Sequence, residues 1–507
     1  MKLNQVWNIF RKDVRHHWIE IIVSLLLVGG FVQVEIENWS QQGAVAFGGA
    51  SFMNAFFRGL AVPLLPVSWI FLIVRIVHGE SLAGDRQFWV TRPYDWKQLL
   101  AAKILFVLAF VNTPLFLAHI VLLLKAGFHP TDYIAGLLWL QFFWTLLLLL
   151  PTAALAAITR NLGQMLLAIL FVGLFVIAQS YLSSMIRDSN FSGIDWVDFA
   201  LIIGGPIAII LRQYSVRRTT QSRWLLAGLA ALLIIIMVAT PYRRLIARAY
   251  PPAAADFPLQ MSLAGPPAEI HYDLRDRVPL PIAFNVSGLP SDSFVELNGV
   301  ILKLQNSSGQ RWDSGWQYGG LTFFPEQKVM SPRLDVTEDV LDKLKSSPIS
   351  ADLMLAFTLY RDTNPRPLVV PRGEFLFPGL GFCSAGSGPI SALSCRIALR
   401  RPTFLMVSSD MAAGTCPLSK DEVAPAPGQI VRAFIRGTPN PADPELSPVI
   451  TDGITFWQAS NSRMSGICPG TPLTVSNPEE AGRSSVDIHI DKAWFAAYMQ
   501  ALNKNAH

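Results

Sequence analysis

The chain has 507 residues, 51% of them hydrophobic and 15% charged, with a formal net charge of +5. So small an excess does not imply nucleic-acid binding. The mean hydropathy of +0.37 averages two unlike halves: apolar runs fill the stretch from Trp18 to Tyr242, and none follows Pro251.

Residues 4–17 predict an amphipathic helix. Val6, Phe10 and Val14 recur at i, i+4, and Asn8, Arg11, Lys12 and Arg15 fall on other faces. Such a helix either lies in the membrane interface with its basic side toward anionic headgroups or extends the first span. Seven apolar runs follow, at about 18–36, 60–77, 104–124, 134–158, 165–182, 196–214 and 224–239. A helix crossing the hydrocarbon core needs roughly 20 apolar residues. The run at 196–214 is the weak one, because Asp198 intrudes and Gly204, Gly205 and Pro206 break it. The expectation is therefore a polytopic membrane domain of six or seven spans over residues 1–250. No cleavable leader is expected, since the first run follows a long polar segment and is succeeded by further spans.

Lys and Arg in short loops set orientation. Lys2, Arg11, Lys12 and Arg15 precede the first span. Arg86, Arg92 and Lys97 fill the second loop, Arg160 the fourth, and Arg212, Arg217, Arg218 and Arg223 the sixth. The alternate loops are poor in cations. This places the N-terminus in the cytoplasm and, with seven spans, the C-terminal domain outside the inner (plasma) membrane. Arg243, Arg244 and Arg248 oppose that reading, but they precede a large domain that can be translocated regardless.

The loop from His78 to Lys103 carries the densest soluble chemistry of this half. Pro93 stops any preceding helix. Asp95 then reads as an N-cap, and Gln98 three residues on completes a capping box. The product is a short helix, a proline turn and a new helix leading into the third span. Phe88, Trp89, Tyr94 and Trp96 would sit at the interface or in a partner's pocket. Aromatic belts, however, flank most spans.

An acidic residue after the second span, a short amphipathic stretch, the Arg92-Pro93 turn and Leu-Leu-Ala-Ala-Lys opening the third span resemble ABC-transporter permeases of the type-2 exporter class. Arg11-Lys12-Asp13 ahead of the first span fits as well. The resemblance covers about residues 1–215. It implies that Glu80, Asp85, Arg86, Arg92 and Trp96 lie at or near the contact with a separate ATPase subunit. It also implies a homodimer or heterodimer of permeases. The chain departs from that class by adding a seventh span and a large outer domain.

No G-x-x-x-x-G-K-[ST] is present, so ATP would be hydrolysed in trans. No cofactor is called for. Acids and bases lie near span ends, as with Glu20, Glu35, Arg58, Arg75 and Lys103, and ion-coupled carriers usually need them buried. His119 reads as a packing residue rather than a proton relay. Pro63, Pro66, Asn112, Pro114, Gln141 and Gln179 read as residues that kink or hydrogen-bond helices.

From residue 268 the period becomes two, and the 251–507 region reads as one or two sandwich-like β units, so the fold class is α+β overall. Val300, Leu302 and Leu304 alternate ahead of an Asn306-Ser-Ser-Gly turn. Leu353, Leu355, Phe357 and Leu359 do the same, as do Ile430, Arg432 and Phe434. Short helices are predicted at 336–344 and at 492–502, the latter capped by Asp491. All four cysteines, Cys383, Cys395, Cys416 and Cys468, fall here. They read as two disulfides in an extracytoplasmic domain, the competing reading being buried thiols in a cytosolic one. Sequence proximity favours Cys383 with Cys395 and Cys416 with Cys468, among three possible connectivities. No C-x-x-C pair marks zinc, and no G-x-S-x-G or H-E-x-x-H marks an enzyme. The expected function is a permease-like subunit coupled to an ATPase, with an outer domain for substrate or partner. The rival expectation is a membrane-anchored binding or scaffold protein that transports nothing.

Overall fold

The structure is a computed structural model. It describes residues 3–41, 52–80, 95–187, 195–239, 242–254, 257–264, 277–337, 339–340, 348–385, 393–399, 404–410, 430–436, 446–454, 456–457, 463–464 and 467–497. The helices of the first 250 residues are, among those described, α1 (Leu3–His16), α2 (Trp18–Gln41), α3 (Phe52–His78), α4 (Trp96–Val107), α5 (Thr113–Lys125), α6 (Ile134–Trp144), α7 (Leu150–Ile158), α8 (Leu162–Arg187), α9 (Asp195–Ser215), α10 (Thr219–Ala239) and α11 (Tyr242–Ala249).

Among the described residues, five helical stretches are long and apolar enough to cross a bilayer: Trp18–Glu37, Trp96–Lys125, Pro130–Ile158, Leu162–Gln179 and Thr219–Ile236. The protein is therefore membrane-embedded. Apolar segments also run through α3 over Pro63–His78 and through α9 over Phe199–Ser215, where the sequence reading has six or seven crossings. The outward faces are apolar. On α8, Leu166, Leu170 and Phe171 are each more than half exposed, which suits hydrocarbon and not water.

Two of the long stretches are continuous only because a π turn intervenes. Leu108–Asn112 joins α4 to α5, and Thr145–Leu149 joins α6 to α7. Each turn is followed by a proline at the second position of the next helix, Pro114 or Pro151. Proline has no N–H to donate and its ring crowds the carbonyl four residues back. The ladder widens by one residue ahead of it. The Thr113 N–H bonds the Leu108 carbonyl, and the Leu150 N–H bonds that of Thr145.

The strands are β1 (Gln260–Leu263), β2 (Arg277–Pro281), β3 (Phe284–Ser287), β4 (Ser293–Asn306), β5 (Arg311–Phe323), β6 (Val329–Met330), β7 (Arg333–Thr337), β8 (Ile349–Val369), β9 (Glu374–Phe377), β10 (Gly381–Ala385), β11 (Leu393–Ala398), β12 (Phe404–Asp410), β13 (Ile430–Arg436), β14 (Val449–Ile454), β15 (Phe456–Trp457), β16 (Arg463–Met464) and β17 (Pro472–Ile490). The C-terminal region is mostly β.

The chain forms two compact units, each drawing on both sides of position 250. One comprises Met1–Leu174, Val197–Leu233 and Pro365–Asn477; the other Phe175–Trp196, Ile234–Asn364 and Pro478–His507. The first unit holds most of the helices, with a core built from Phe31, Leu65, Trp69, Phe106 and Leu122. Its β part includes the sheet β14-β11-β10-β9. In the second unit β4 is flanked by β5 and β8. Val300, Leu302 and Leu304 face its core together with Leu353, Leu355 and Phe357, as the alternation predicts.

Two local expectations fail. Residues 336–337 belong to β7 rather than to a helix, and Val336 pairs with Val278. Leu334 and Val336 are both fully buried, so a period of two decides the conformation. Helical residues begin at 339, and 341–347 lie outside the described residues. In β13 the phase is reversed: Val431 and Ala433 are buried while Ile430 is exposed. A one-residue shift of phase exchanges every side chain between faces, and Arg432 stays half-buried on the face opposite Val431 and Ala433. The helix after Asp491 forms through residue 497, with the Trp494 N–H donating to Asp491 Oδ1 at 2.9 Å.

Candidate functional site

The chemistry gathers at the foot of α4. Lys103 lies about two turns into that helix and is almost fully buried. Its Nζ lies 2.8 Å from Asp13 Oδ2 on α1 and 3.3 Å from Glu80 Oε1, just beyond the end of α3. Lys12 Nζ reaches the same Glu80 oxygen at 2.9 Å. Two carboxylates and two ammonium groups thus tie three separate stretches of chain together. Burial pushes the Glu80 carboxyl up, and Lys103 and Lys12 outweigh it, so the group sits below its ordinary value. Deleting one partner of a buried pair leaves an uncompensated charge and costs about 3–5 kcal/mol.

α1 is laid down by its apolar stripe. Val6 and Ile9 are buried, and Phe10 and Val14 pack against the same core. The Phe10 ring stacks on Phe110, with centroids 5.9 Å apart. Asp13 continues that stripe, which is why its carboxylate turns inward. His17 separates α1 from α2 and is buried, and burial depresses its pKa. Beside it, Arg75 Nε lies 3.4 Å from Glu20 Oε1. Between α1 and the end of α3 runs an open groove of about 730 Å³, lined by Asn8, Arg11, Lys12, Asp13, Arg15, His16, His17, Gly79 and Glu80. Arg11 and Arg15 are solvent-exposed. Since Asp13 and Glu80 are neutralised internally, the groove presents a cationic wall.

Of the residues singled out in the sequence, Glu80 is committed to the ion cluster and Trp96 packs against the helical core. The Lys97 ammonium lies 5.7 Å above the Trp96 ring centroid. Asp85, Arg86 and Arg92 lie outside the described residues. Asp95 caps α4 as expected, its side chain accepting from the Lys97 N–H. The capping box does not close: Gln98 Oε1 is buried and has no hydrogen-bond partner. Lys103, read from sequence as a charge near a span end, and Asp13, read in the Arg11-Lys12-Asp13 run ahead of the first span, prove to be the centre of the cluster.

A second polar arrangement runs through the same unit. His119 is fully buried on α5. Its Nε2 lies 2.9 Å from the Leu446 carbonyl, and its Nδ1 3.4 Å from Gln141 Nε2. A carbonyl can only accept, so Nε2 carries the proton and Nδ1 accepts from the Gln141 amide. Asn112 Nδ2 donates to Thr145 Oγ1 at 2.8 Å and approaches Gln141 Oε1 at 3.5 Å. Thr145 Oγ1 donates back to the Gln141 carbonyl. The chain of bonds connects both π turns to Leu446, which is itself buried in the helical core.

The turn between α5 and α6 is covered by strands of the same unit. Leu123, Ala126, Phe128 and Leu137 form one apolar cluster with Ala398 and Val449. Phe128 meets Phe382 at 5.2 Å between centroids. Cys383 and Cys395 face each other across β10 and β11 and are disulfide-bonded, with Cα atoms 4.0 Å apart. Cys468 is likewise in disulfide linkage, and Cys416 lies outside the described residues. Such bonds persist in oxidising compartments. Among the described residues no group of three or more His, Cys, Asp or Glu could hold a metal ion.

No protein-family model matches this chain, and no curated protein matches it.

Proposed function

We propose that this chain is the membrane subunit of an ABC-type transport complex, driven by ATPase subunits on separate polypeptides. The observation that carries the reading is the cluster of buried Asp13, Lys103 and Glu80, joined by half-exposed Lys12. It welds the amphipathic α1 and the end of α3 onto the foot of a helical stretch that crosses the membrane. A push on α1, or on the 81–94 segment that Glu80 and Asp95 bracket, is delivered to that stretch. The cationic groove supplies a wall for an acidic segment of the ATPase. On this reading all seven apolar helices cross the inner membrane, the groove faces the cytoplasm, and two permease copies pair. The β region stands outside as a sandwich-like module for substrate or partner. The disulfide supports that placement. So does the α5–α6 turn, which meets β strands at the opposite end of α4–α5 from Lys103.

Glu80 is unsuited to testing the contact, because reversing it would break the cluster. Arg11 and Arg15 are exposed and suit the purpose. The full chain, purified from gentle detergent, should carry an ATPase subunit. Arg11→Glu combined with Arg15→Glu should lower the recovered subunit at least fivefold, with insertion unchanged. Recovery of the wild-type chain with no ATPase subunit would return the protein to the membrane-anchored scaffold reading.

A further inference from the structure

The turn after α5 packs on the strands at Phe382 and leaves a recess beside that contact. Gly127 adopts φ +90°, and the Phe128 N–H closes back onto the Leu123 carbonyl at 2.9 Å, the glycine-ended termination usual for helices. This throws Phe128 and Tyr133 to one side, their rings 5.6 Å apart. Opposite lies the turn between β9 and β10. Gly379 takes φ +78° there, and at Gly381 a Cβ would come within 2.0 Å of the Arg396 carbonyl oxygen. Between the two turns lies a recess of about 300 Å³, at the lower end of small-molecule sites, roughly 300–1,000 Å³.

The lining is apolar, with Phe128, Tyr133, Phe377, Leu380 and Phe382 among it, and His129 and Asp132 contribute polar groups. Both polar residues are exposed, so they belong to the mouth. Leu376 also lines the recess and is 63% exposed, an apolar side chain on an edge strand without cover. The apolar surface does not stop at the recess. Ile134 and Leu138, one turn apart on α6 directly after Tyr133, face outward at 46% and 56% exposure. They belong to the membrane-crossing stretch Pro130–Ile158. A hydrocarbon-facing stripe therefore begins one residue after Tyr133, which lines the recess, where that helix leaves the membrane, with a carboxylate and an imidazole where lipid headgroups lie.

We propose that this recess holds the end of an acyl chain of a bilayer phospholipid, its polar part held near His129 and Asp132. The proposal rests on membrane embedding and not on coupling to an ATPase. The test uses the full chain alone, in vesicles of phosphatidylethanolamine and phosphatidylglycerol. These are doped with a phosphatidylcholine bearing a photoreactive diazirine at the end of one acyl chain. After irradiation, adducts should map to the 376–382 segment as well as to the outward face of α6. Leu376→Asp, at a position exposed enough to tolerate it, should cut the 376–382 adducts at least fivefold while those on α6 persist. Leu376→Ile should keep both. Adducts confined to the helices, or an undiminished 376–382 yield in Leu376→Asp, would overturn the proposal.

Discussion

Glu80 sits between two ammonium groups in a place where water is scarce, and that sets a pH dependence. Its folded pKa lies below the ordinary glutamate value of 4.5. The stabilisation is therefore fully present above 4.5 and is lost as pH falls through the folded value. Thermal unfolding in detergent should show wild-type stability declining below about pH 4.5. The Glu80→Gln variant should start lower at pH 7 and decline less steeply. Parallel curves for the two would remove Glu80 from the cluster. The sequence displays these residues without displaying their partners. Asp13 and Lys103 are 90 positions apart, and nothing in local spacing joins them. What was legible is that Asp13 sits three and four residues from Phe10 and Ile9, on the stripe that buries. The capping signal at Asp95 was legible for the same reason: the bond it makes is local. Gln98 is drawn instead into the packed face of α4, where it is 8% exposed.

At the scale of elements, the two π turns convert proline positions into polar ones. Each widened turn sits beside a side chain that the chain of bonds uses, Asn112 at one and Thr145 at the other. His119 connects that pair to Leu446. His119→Leu should leave the Leu446 carbonyl and the Gln141 amide without partners, a loss of about 1–3 kcal/mol per buried group. Hydrogen exchange across residues 446–454 should then accelerate, with exchange in β4 unchanged. Equal protection in wild type and variant would make His119 a filler of space. Element identity was readable wherever burial repeats cleanly: at period two in β4 and β8, and as long apolar runs in the helices. It was not readable at 336–337, where helix-compatible residues follow a buried Leu334. The polar and proline residues of the spans were visible as helix-packing groups, but their bonding order depends on which helices are neighbours.

The change of character near residue 250 is the largest feature of the sequence, and hydropathy alone reveals it. How the chain divides by contacts is not so readable, because the units are assembled from three segments each. An outside location for the C-terminal region predicts that a reporter active only in the periplasm, fused after His507, is active. It also predicts that the cysteines resist alkylation until reductant is added, in keeping with the Cys383–Cys395 bond. A cytoplasm-only reporter active at that position would reverse the topology.

The clustering of Ala398 and Val449 with Leu123, Phe128 and Leu137 bears on how the hydrophilic half behaves when severed. A polypeptide beginning at residue 251 keeps its strands and loses their lid. Phe382, Leu399 and Val449 would meet water, and Leu446 would have no slot to enter. The hydropathy profile advertises that fragment as freely soluble. Its packing predicts self-association, which sedimentation of the fragment would check: the β surface is cut along a seam that hydropathy cannot see.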